Sequence, residues 1–158
     1  MKIILLSIAI VCTLLYSQKA GAQRIASFHE QDIECLGVEG DGSQTLRVTG
    51  TGRNRADAIE QAKKDAVMAV IFSGIRSGRS GCDMRPLISE ANAREKYEEY
   101  FDIFFMDNGE YRKYISMADQ KRNSKDKSKN KYVKNYRITV RVLRSELKER
   151  LKNDNVLK

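Results

Sequence analysis

The most regular alternation of hydrophobic and polar residues lies between residues 132 and 143. Its apolar positions are Tyr136, Ile138, Val140 and Val142, and its polar positions are Arg137, Thr139 and Arg141. Since successive side chains of a strand point to opposite faces, this segment predicts a strand with one buried and one solvated face. Residues 31–38 and 44–50 predict two more strands around a glycine-containing turn, and residues 111–118 predict a fourth.

A three-and-four spacing of small and apolar residues follows the strand at 44–50. Its members are Ile59, Ala62, Ala66, Ala69 and Val70, which would form one stripe of a helix. Asn54 is the predicted N-cap, with Asp57 three residues later, and Gly74 is the predicted end of the helix. Because alanine dominates the stripe, we expect this helix to lie close to the layer that it covers.

A second helix is predicted from Ser89 to about Met106. It carries a stripe of aromatic residues at helical spacing, which we interpret as core: Tyr97, Tyr100, Phe101, Phe104 and Phe105. A hairpin is an alternative for its second half, because Asn108-Gly109 favours a tight turn and residues 101, 103 and 105 also alternate. A short C-terminal helix is predicted at about residues 144–152.

Helices placed between pairs of strands are typical of the α+β class. We therefore predict an antiparallel sheet of three to four strands, with two main helices packed on one face and a short C-terminal helix. Residues 23–158 form a single predicted domain, in which 73–85 is a loop of small residues and 119–131 is a basic, flexible loop.

The N-terminus has the pattern of a secretory signal peptide over residues 1–22. Lys2 precedes an apolar stretch from Ile3 to Tyr16, and Ala20-Gly21-Ala22 offers a cleavage site before Gln23. The stretch is shorter than the roughly 20 apolar residues of a membrane-spanning helix. Cys12 lies inside it, after the large Val11, and is rejected as a lipid anchor. We expect an exported protein, periplasmic or extracellular, that is not an integral membrane protein.

The expected export also affects whether the cysteines form a disulfide. Removal of Cys12 with the signal leaves Cys35 and Cys82, and an even number of cysteines in an oxidising compartment favours a disulfide. The alternative is a pair of buried free thiols.

The whole chain has 158 residues and a formal charge of +8. Half of that surplus lies between Asp119 and Lys131, where six cations stand against two aspartates: Lys121, Arg122, Lys125, Lys127, Lys129 and Lys131. Such a segment could bind an anionic lipid or glycan surface, or an acidic protein, in a salt-sensitive way. The alternative is a solvated loop whose charge prevents aggregation. Nucleic acid is a poor candidate for an exported chain.

Residue types that carry catalysis or bind cofactors are scarce. His29 is the only histidine, no Gly-x-Ser-x-Gly motif is present, and no zinc or calcium spacing is found. Gly50-Thr51-Gly52 precedes a helix, but Arg55 replaces the third glycine of a dinucleotide fingerprint. We therefore expect no cofactor, no metal and no enzymatic activity. An envelope-polymer hydrolase that uses carboxylates remains an alternative.

Residues 44–73 resemble the N-terminal domain of flagellar-assembly protein T and a related family of small bacterial outer-membrane lipoproteins. The resemblance rests on Thr49-Gly50-Thr51-Gly52 followed by Ala58, Ala62, Ala66 and Ile71. It implies a strand that leads into an alanine-rich helix packed on an antiparallel sheet, in an exported, non-enzymatic envelope protein. The leading hypothesis is therefore an accessory or assembly component of a bacterial cell envelope that binds an envelope protein partner.

Overall fold

The described part of the chain is built on four strand pairings. The computed structural model describes residues 33–118 and 134–157. The five strands are β1 (Ile33–Val38), β2 (Gln44–Gly52), β3 (Ser77–Gly78), β4 (Ile115–Ser116) and β5 (Lys134–Val142). They form one sheet in the order β3-β1-β2-β5-β4. The β1–β2, β2–β5 and β4–β5 pairs are antiparallel, whereas β3 pairs with β1 in parallel.

The helices lie between and after these strands. They are α1 (Arg55–Met68), α2 (Ala93–Lys96), α3 (Glu98–Phe104) and α4 (Arg144–Asn153). A π-helical turn (Ala69–Ser73) extends α1, and a 3₁₀ turn (Glu110–Tyr114) precedes β4. The fold is therefore α+β as predicted. Its sheet is mixed and has five strands, because two-residue edge strands flank the three long ones.

The alternation predicted for the two longest strands is confirmed. Leu46 and Val48 of β2, together with Ile138 and Val140 of β5, are at most 1% exposed. The residues between them are half-buried. One face of the sheet therefore packs against α1, and the polar face lies on the other side.

Two glycines explain how closely α1 approaches the sheet. A Cβ atom built on Gly50 would lie 2.5 Å from the backbone nitrogen of Ala62 and 2.7 Å from its Cβ, and one on Gly52 would lie 2.7 Å from Cβ of Asp57. Ala58, Ala62 and Ala66 are fully buried on the facing side of α1. The Gly-x-Gly sequence thus makes room for the backbone of α1.

Both predicted ends of the first helix are confirmed. The Asn54 side chain accepts a hydrogen bond of 2.9 Å from the backbone N–H of Asp57. Gly74 ends the π-helical turn with φ at +72°, a conformation that favours glycine, and its N–H donates to the carbonyl of Ala69. The carbonyls of Val70 and Ile71 accept from the backbone of residues 87 and 88, so the returning chain satisfies the end of the helix.

The predicted disulfide between Cys35 and Cys82 is present, with 6.3 Å between its Cα atoms. It ties the loop after β3 to strand β1. The next residue, Asp83, accepts a hydrogen bond of 2.8 Å at its carbonyl from the fully buried Gln44 side chain. Its carboxylate accepts another, of 2.9 Å, from Arg144 at the start of α4. The bridge therefore holds a loop that joins β1, β2 and α4.

The predicted helix over residues 89–106 is replaced by two short helices. Residues 87 and 88 hydrogen-bond to the end of the π-helical turn, and Tyr97, with φ −116° and ψ 33°, interrupts the helix between α2 and α3. The aromatic stripe is nevertheless core: Phe101 and Phe104 are at most 4% exposed. The hairpin alternative is not found, because Phe101 and Ile103 lie within α3.

The predicted strand at 111–118 is reduced to the two residues of β4. Tyr111 and Tyr114 are both buried. Residues three apart lie on the same side of a 3₁₀ turn but on opposite sides of a strand. The requirement to bury both rings therefore favours the turn Glu110–Tyr114 over an extended strand.

Glu60 joins α1 to this turn. Its carboxylate accepts hydrogen bonds of 2.7 and 2.8 Å from Nε and Nη2 of Arg112, and another from the Tyr111 hydroxyl. Arg112, Tyr111 and Lys63 lower the pKa of Glu60 from 4.5 to about 2, although partial burial opposes the shift. Burial, and then the hydrogen bond to the same carboxylate, raise the pKa of the Tyr111 hydroxyl. Glu60 is therefore ionised and fixed in place at neutral pH.

Replacing Glu60 with Gln is expected to lower the free energy of unfolding by about 2 kcal/mol at pH 7. Because the folded-state pKa is lowered, this contribution is present above pH 4.5 and is lost as the pH falls toward about 2. Urea unfolding at pH 7 and pH 2.5 measures it, with Glu98→Gln on the exposed side of α3 as the control. An equal difference between wild type and Glu60→Gln at both pH values would contradict the pKa shift.

Candidate binding surface

The polar face of the sheet brings three arginines together from two strands. The β2–β5 register places Arg47 opposite Thr139 and Arg137 opposite Thr49. Arg141 follows two residues after Thr139 on the same side of β5. We call these five residues the arginine–threonine face. Strands β2 and β5 thus present a mixed row of guanidinium and hydroxyl groups on this side of the sheet.

The two strands that carry this face are cationic. They contain Arg47, Lys134, Arg137 and Arg141, and no aspartate or glutamate. Among residues 33–118 and 134–157, two neighbouring acids come from β1 and the turn after it. Glu34 lies 2.8 Å from Nη1 of Arg47, with both side chains more than 40% exposed, and Glu39 lies 3.6 Å from Nη2 of Arg141.

An ion pair as exposed as Arg47–Glu34 contributes little to stability, because water screens it and both side chains lose freedom in forming it. Glu34 therefore orients Arg47 at little energetic gain. An anion that meets several arginines at once can compete with such a pair. The flanking acids also lie at one side of the face, next to β1, and not within the β2–β5 rows.

Hydrogen bonds across the face position its polar groups. Nε of Arg137 donates to the Thr49 hydroxyl over 3.2 Å, and the Thr51 hydroxyl donates to the Asn135 side-chain oxygen over 2.9 Å. These contacts span β2 and β5 in register. The guanidinium of Arg137 is therefore held against a rigid strand, which reduces the entropy lost when it contacts a ligand.

The six cations of the predicted basic loop lie outside the described residues, and so do the predicted signal peptide at 1–22 and His29. The predicted anion-binding role of that loop stays a prediction. The two predicted disulfide residues, by contrast, are brought together, and they serve the fold.

Sequence reasoning missed the arginine–threonine face as a site. It placed Arg137 and Arg141 on the solvated side of the strand at 132–143, and it left Arg47 within a separate strand at 44–50. Their juxtaposition depends on the β2–β5 register, which joins residues about ninety positions apart. A usable signal was present: both strands carry only cations among their charged residues.

Two carboxylates near the C-terminal helix are held by cations or hydroxyls. The Tyr100 hydroxyl donates to Asp154 over 2.6 Å, and Arg150 lies 2.7 Å from the same carboxylate and 3.1 Å from Glu110. Burial and Asp154 raise the pKa of Tyr100. Within residues 33–118 and 134–157, no group of three or more histidine, cysteine or acidic side chains is placed to hold a metal ion.

The described chain also has an open groove beside the π-helical turn. It is lined by Phe72, Pro86, Ile88, Glu90 and Arg94 among others. The groove is lined by apolar side chains together with Glu90 and Arg94, and these residues include no converging set of catalytic groups. The arginine–threonine face is therefore the stronger candidate for a functional surface.

The fold and its face define an α+β protein with a mixed five-stranded sheet, which has α1 packed on one face and a cationic polar face on the other. No family model, curated protein or solved structure matches the chain. Among the described residues, no helix is long and apolar enough to cross a membrane.

Proposed function

We propose that this chain is an exported accessory or assembly protein of a bacterial cell envelope, and that it acts by binding through the arginine–threonine face. The observation that carries the proposal is the register of β2 and β5, which gathers Arg47, Arg137 and Arg141 on one side of a rigid sheet. A disulfide between β1 and the loop after β3 supports export, because such bridges persist in oxidising compartments. The predicted signal peptide supports it as well.

A binding role also agrees with the state of the carboxylates. A general acid of a polymer hydrolase needs a pKa raised toward neutrality. Glu60 has the opposite shift, because Arg112 and Tyr111 stabilise its charged form. The described carboxylates that are most closely hydrogen-bonded thus favour structural roles over proton transfer.

Site-specific cross-linking in the envelope tests this function. A photo-reactive residue at Thr139, at the centre of the face, is expected to capture a reproducible envelope component. Asp102, exposed on α3, is the control position, and a reagent placed there is expected to capture none. Equal labelling from both positions, or none from Thr139, would contradict a binding role for this face.

The basic segment is a second candidate for anion binding, supported by its six cations within residues 119–131. Lys125, Lys127, Lys129 and Lys131 changed together to Gln would remove four of them. If the segment binds anionic surfaces, salt-sensitive association with acidic vesicles is lost. Unchanged association would leave the segment as a solvated loop.

A further inference from the structure

The charged side chains of the β2–β5 face are arginines, whereas lysine dominates the basic segment of the same chain. Five of the six cations between residues 119 and 131 are lysines, yet all three cations of the face are arginines. Lysine gives a solvated point charge, whereas the planar guanidinium fits a carboxylate with two parallel hydrogen bonds. The composition of the face therefore favours recognition of flat anionic groups.

The register arranges these arginines as a zigzag. Arg137 and Arg141 lie four residues apart on β5, and Arg47 stands opposite the residue midway between them. Two residues of rise along the strand and one step across it separate neighbouring positions by about 8 Å. A row of this kind matches a linear chain that carries an anionic group at regular intervals. A single small anion would not need three arginines spaced in this way.

Hydroxyl groups fill the positions between the arginines. Thr49 and Thr139 alternate with Arg47 and Arg137 across the two strands, and Thr51 and Asn135 extend the polar rows toward one end. Threonine hydroxyls and asparagine amides both donate and accept hydrogen bonds, as sugar hydroxyls do. The face thus offers neutral polar partners at the same spacing as its charged ones.

The face lacks the features of two other anionic ligands. Membrane association at an interface depends on apolar side chains that enter the lipid, and none of the five residues of the face is apolar. Single-stranded nucleic acids are bound by aromatic side chains that stack on bases. The one aromatic residue of β5, Tyr136, is only 6% exposed and packs on the opposite side.

We propose that the ligand of the arginine–threonine face is a linear acidic polysaccharide, whose carboxylates pair with Arg47, Arg137 and Arg141 and whose hydroxyls pair with the threonines. This inference rests on the proposed binding function and names the class of partner. The sugar chain lies across β2 and β5, and no covalent step is involved.

Binding of the full processed chain to polygalacturonate, a linear polyuronate, tests the inference. The variant Arg137→Gln/Arg141→Gln is expected to bind at least tenfold more weakly, with a shallower dependence of log K on log salt because fewer counterions are released. The control Arg94→Gln/Lys148→Gln removes the same charge from exposed positions on α2 and α4 and is expected to bind as the wild type does. Circular dichroism and thermal melting check that each variant is folded.

A charge-conserving variant separates bidentate recognition from simple attraction. Arg137→Lys/Arg141→Lys keeps the charge and is expected to lose about fivefold to tenfold in affinity, with the salt dependence retained. Equal affinity of this variant and the wild type would overturn the proposed carboxylate pairing. So would equal weakening by the control on α2 and α4.

Three further ligands complete the test. Neutral dextran is expected not to bind, and vesicles of phosphatidylglycerol and a single-stranded oligonucleotide are expected to bind more weakly than polygalacturonate. Preference for the vesicles or the oligonucleotide would overturn the polysaccharide. If polygalacturonate does not bind but Thr139 still cross-links to an envelope protein, only this inference fails. If Thr139 also captures nothing, the proposed function fails with it.

Discussion

Replacing Gly50 with alanine is expected to lower the free energy of unfolding by about 3 kcal/mol or more, or to prevent recovery of folded protein. The added methyl group would lie 2.5 Å from the backbone nitrogen of Ala62 and would also meet the carbonyl of Ala58. Neither is the movable end of a side chain. The helix α1 would have to move away from β2 along its row of buried alanines. Urea unfolding followed by circular dichroism measures the loss.

Gly37→Ala is the matched control for Gly50→Ala. Gly37 also lies in a strand, β1, and a Cβ atom built on it has no heavy-atom neighbour within 4 Å. Its substitution is expected to change the free energy of unfolding by no more than about 0.5 kcal/mol. If both alanine variants lose the same stability, the close packing of α1 on Gly50 does not explain the effect of the substitution.

Loss of the Cys35–Cys82 bridge is the second large expected effect. The bridge joins residues 47 positions apart. In the chain-entropy model, opening a loop of that length lowers stability by about 4 kcal/mol. Further loss is expected because the freed loop carries Asp83, which holds the buried Gln44 and Arg144. Urea unfolding with and without dithiothreitol measures the difference.

The control for reduction is Cys35→Ala/Cys82→Ala. This variant is expected to be as unstable as the reduced wild type and to be unaffected by dithiothreitol. Without reductant, the intact wild-type chain is expected to be two hydrogens lighter than the reduced chain. Alkylation of both thiols in unreduced native protein would contradict the bridge.

The sequence predicted most of the fold where local pattern and packing agree. The alternation in β5 and the cap at Asn54 are local signals, and the structure confirms both. The elements that differ depend on distant partners. Tyr111 and Tyr114 form a 3₁₀ turn because both rings enter the core, and β3 is a strand only because β1 lies beside it. Neither the burial of both rings nor the pairing of β3 with β1 can be inferred from a short segment of the sequence.

The candidate site was less predictable for the same reason. A run of lysines attracts attention because its members are neighbours in the sequence. Arg47 and Arg137 are ninety residues apart and become neighbours only through the strand register. Each strand alone has the ordinary pattern of one polar face, so the cationic surface exists only once the two are paired.

The β2–β5 ladder also sets an order in which the chain can fold. The hydrogen bond from Thr51 to Asn135 closes a separation of 84 residues, and that from Arg137 to Thr49 closes 88. During synthesis from the N-terminus, β1, β2, α1 and both bridge cysteines emerge well before β5. Until β5 is in place, α1 has only β2 of these two strands to pack against, and part of its apolar side stays exposed. A chain cut short before residue 134 would retain its disulfide cysteines and still expose that surface to aggregation or proteolysis.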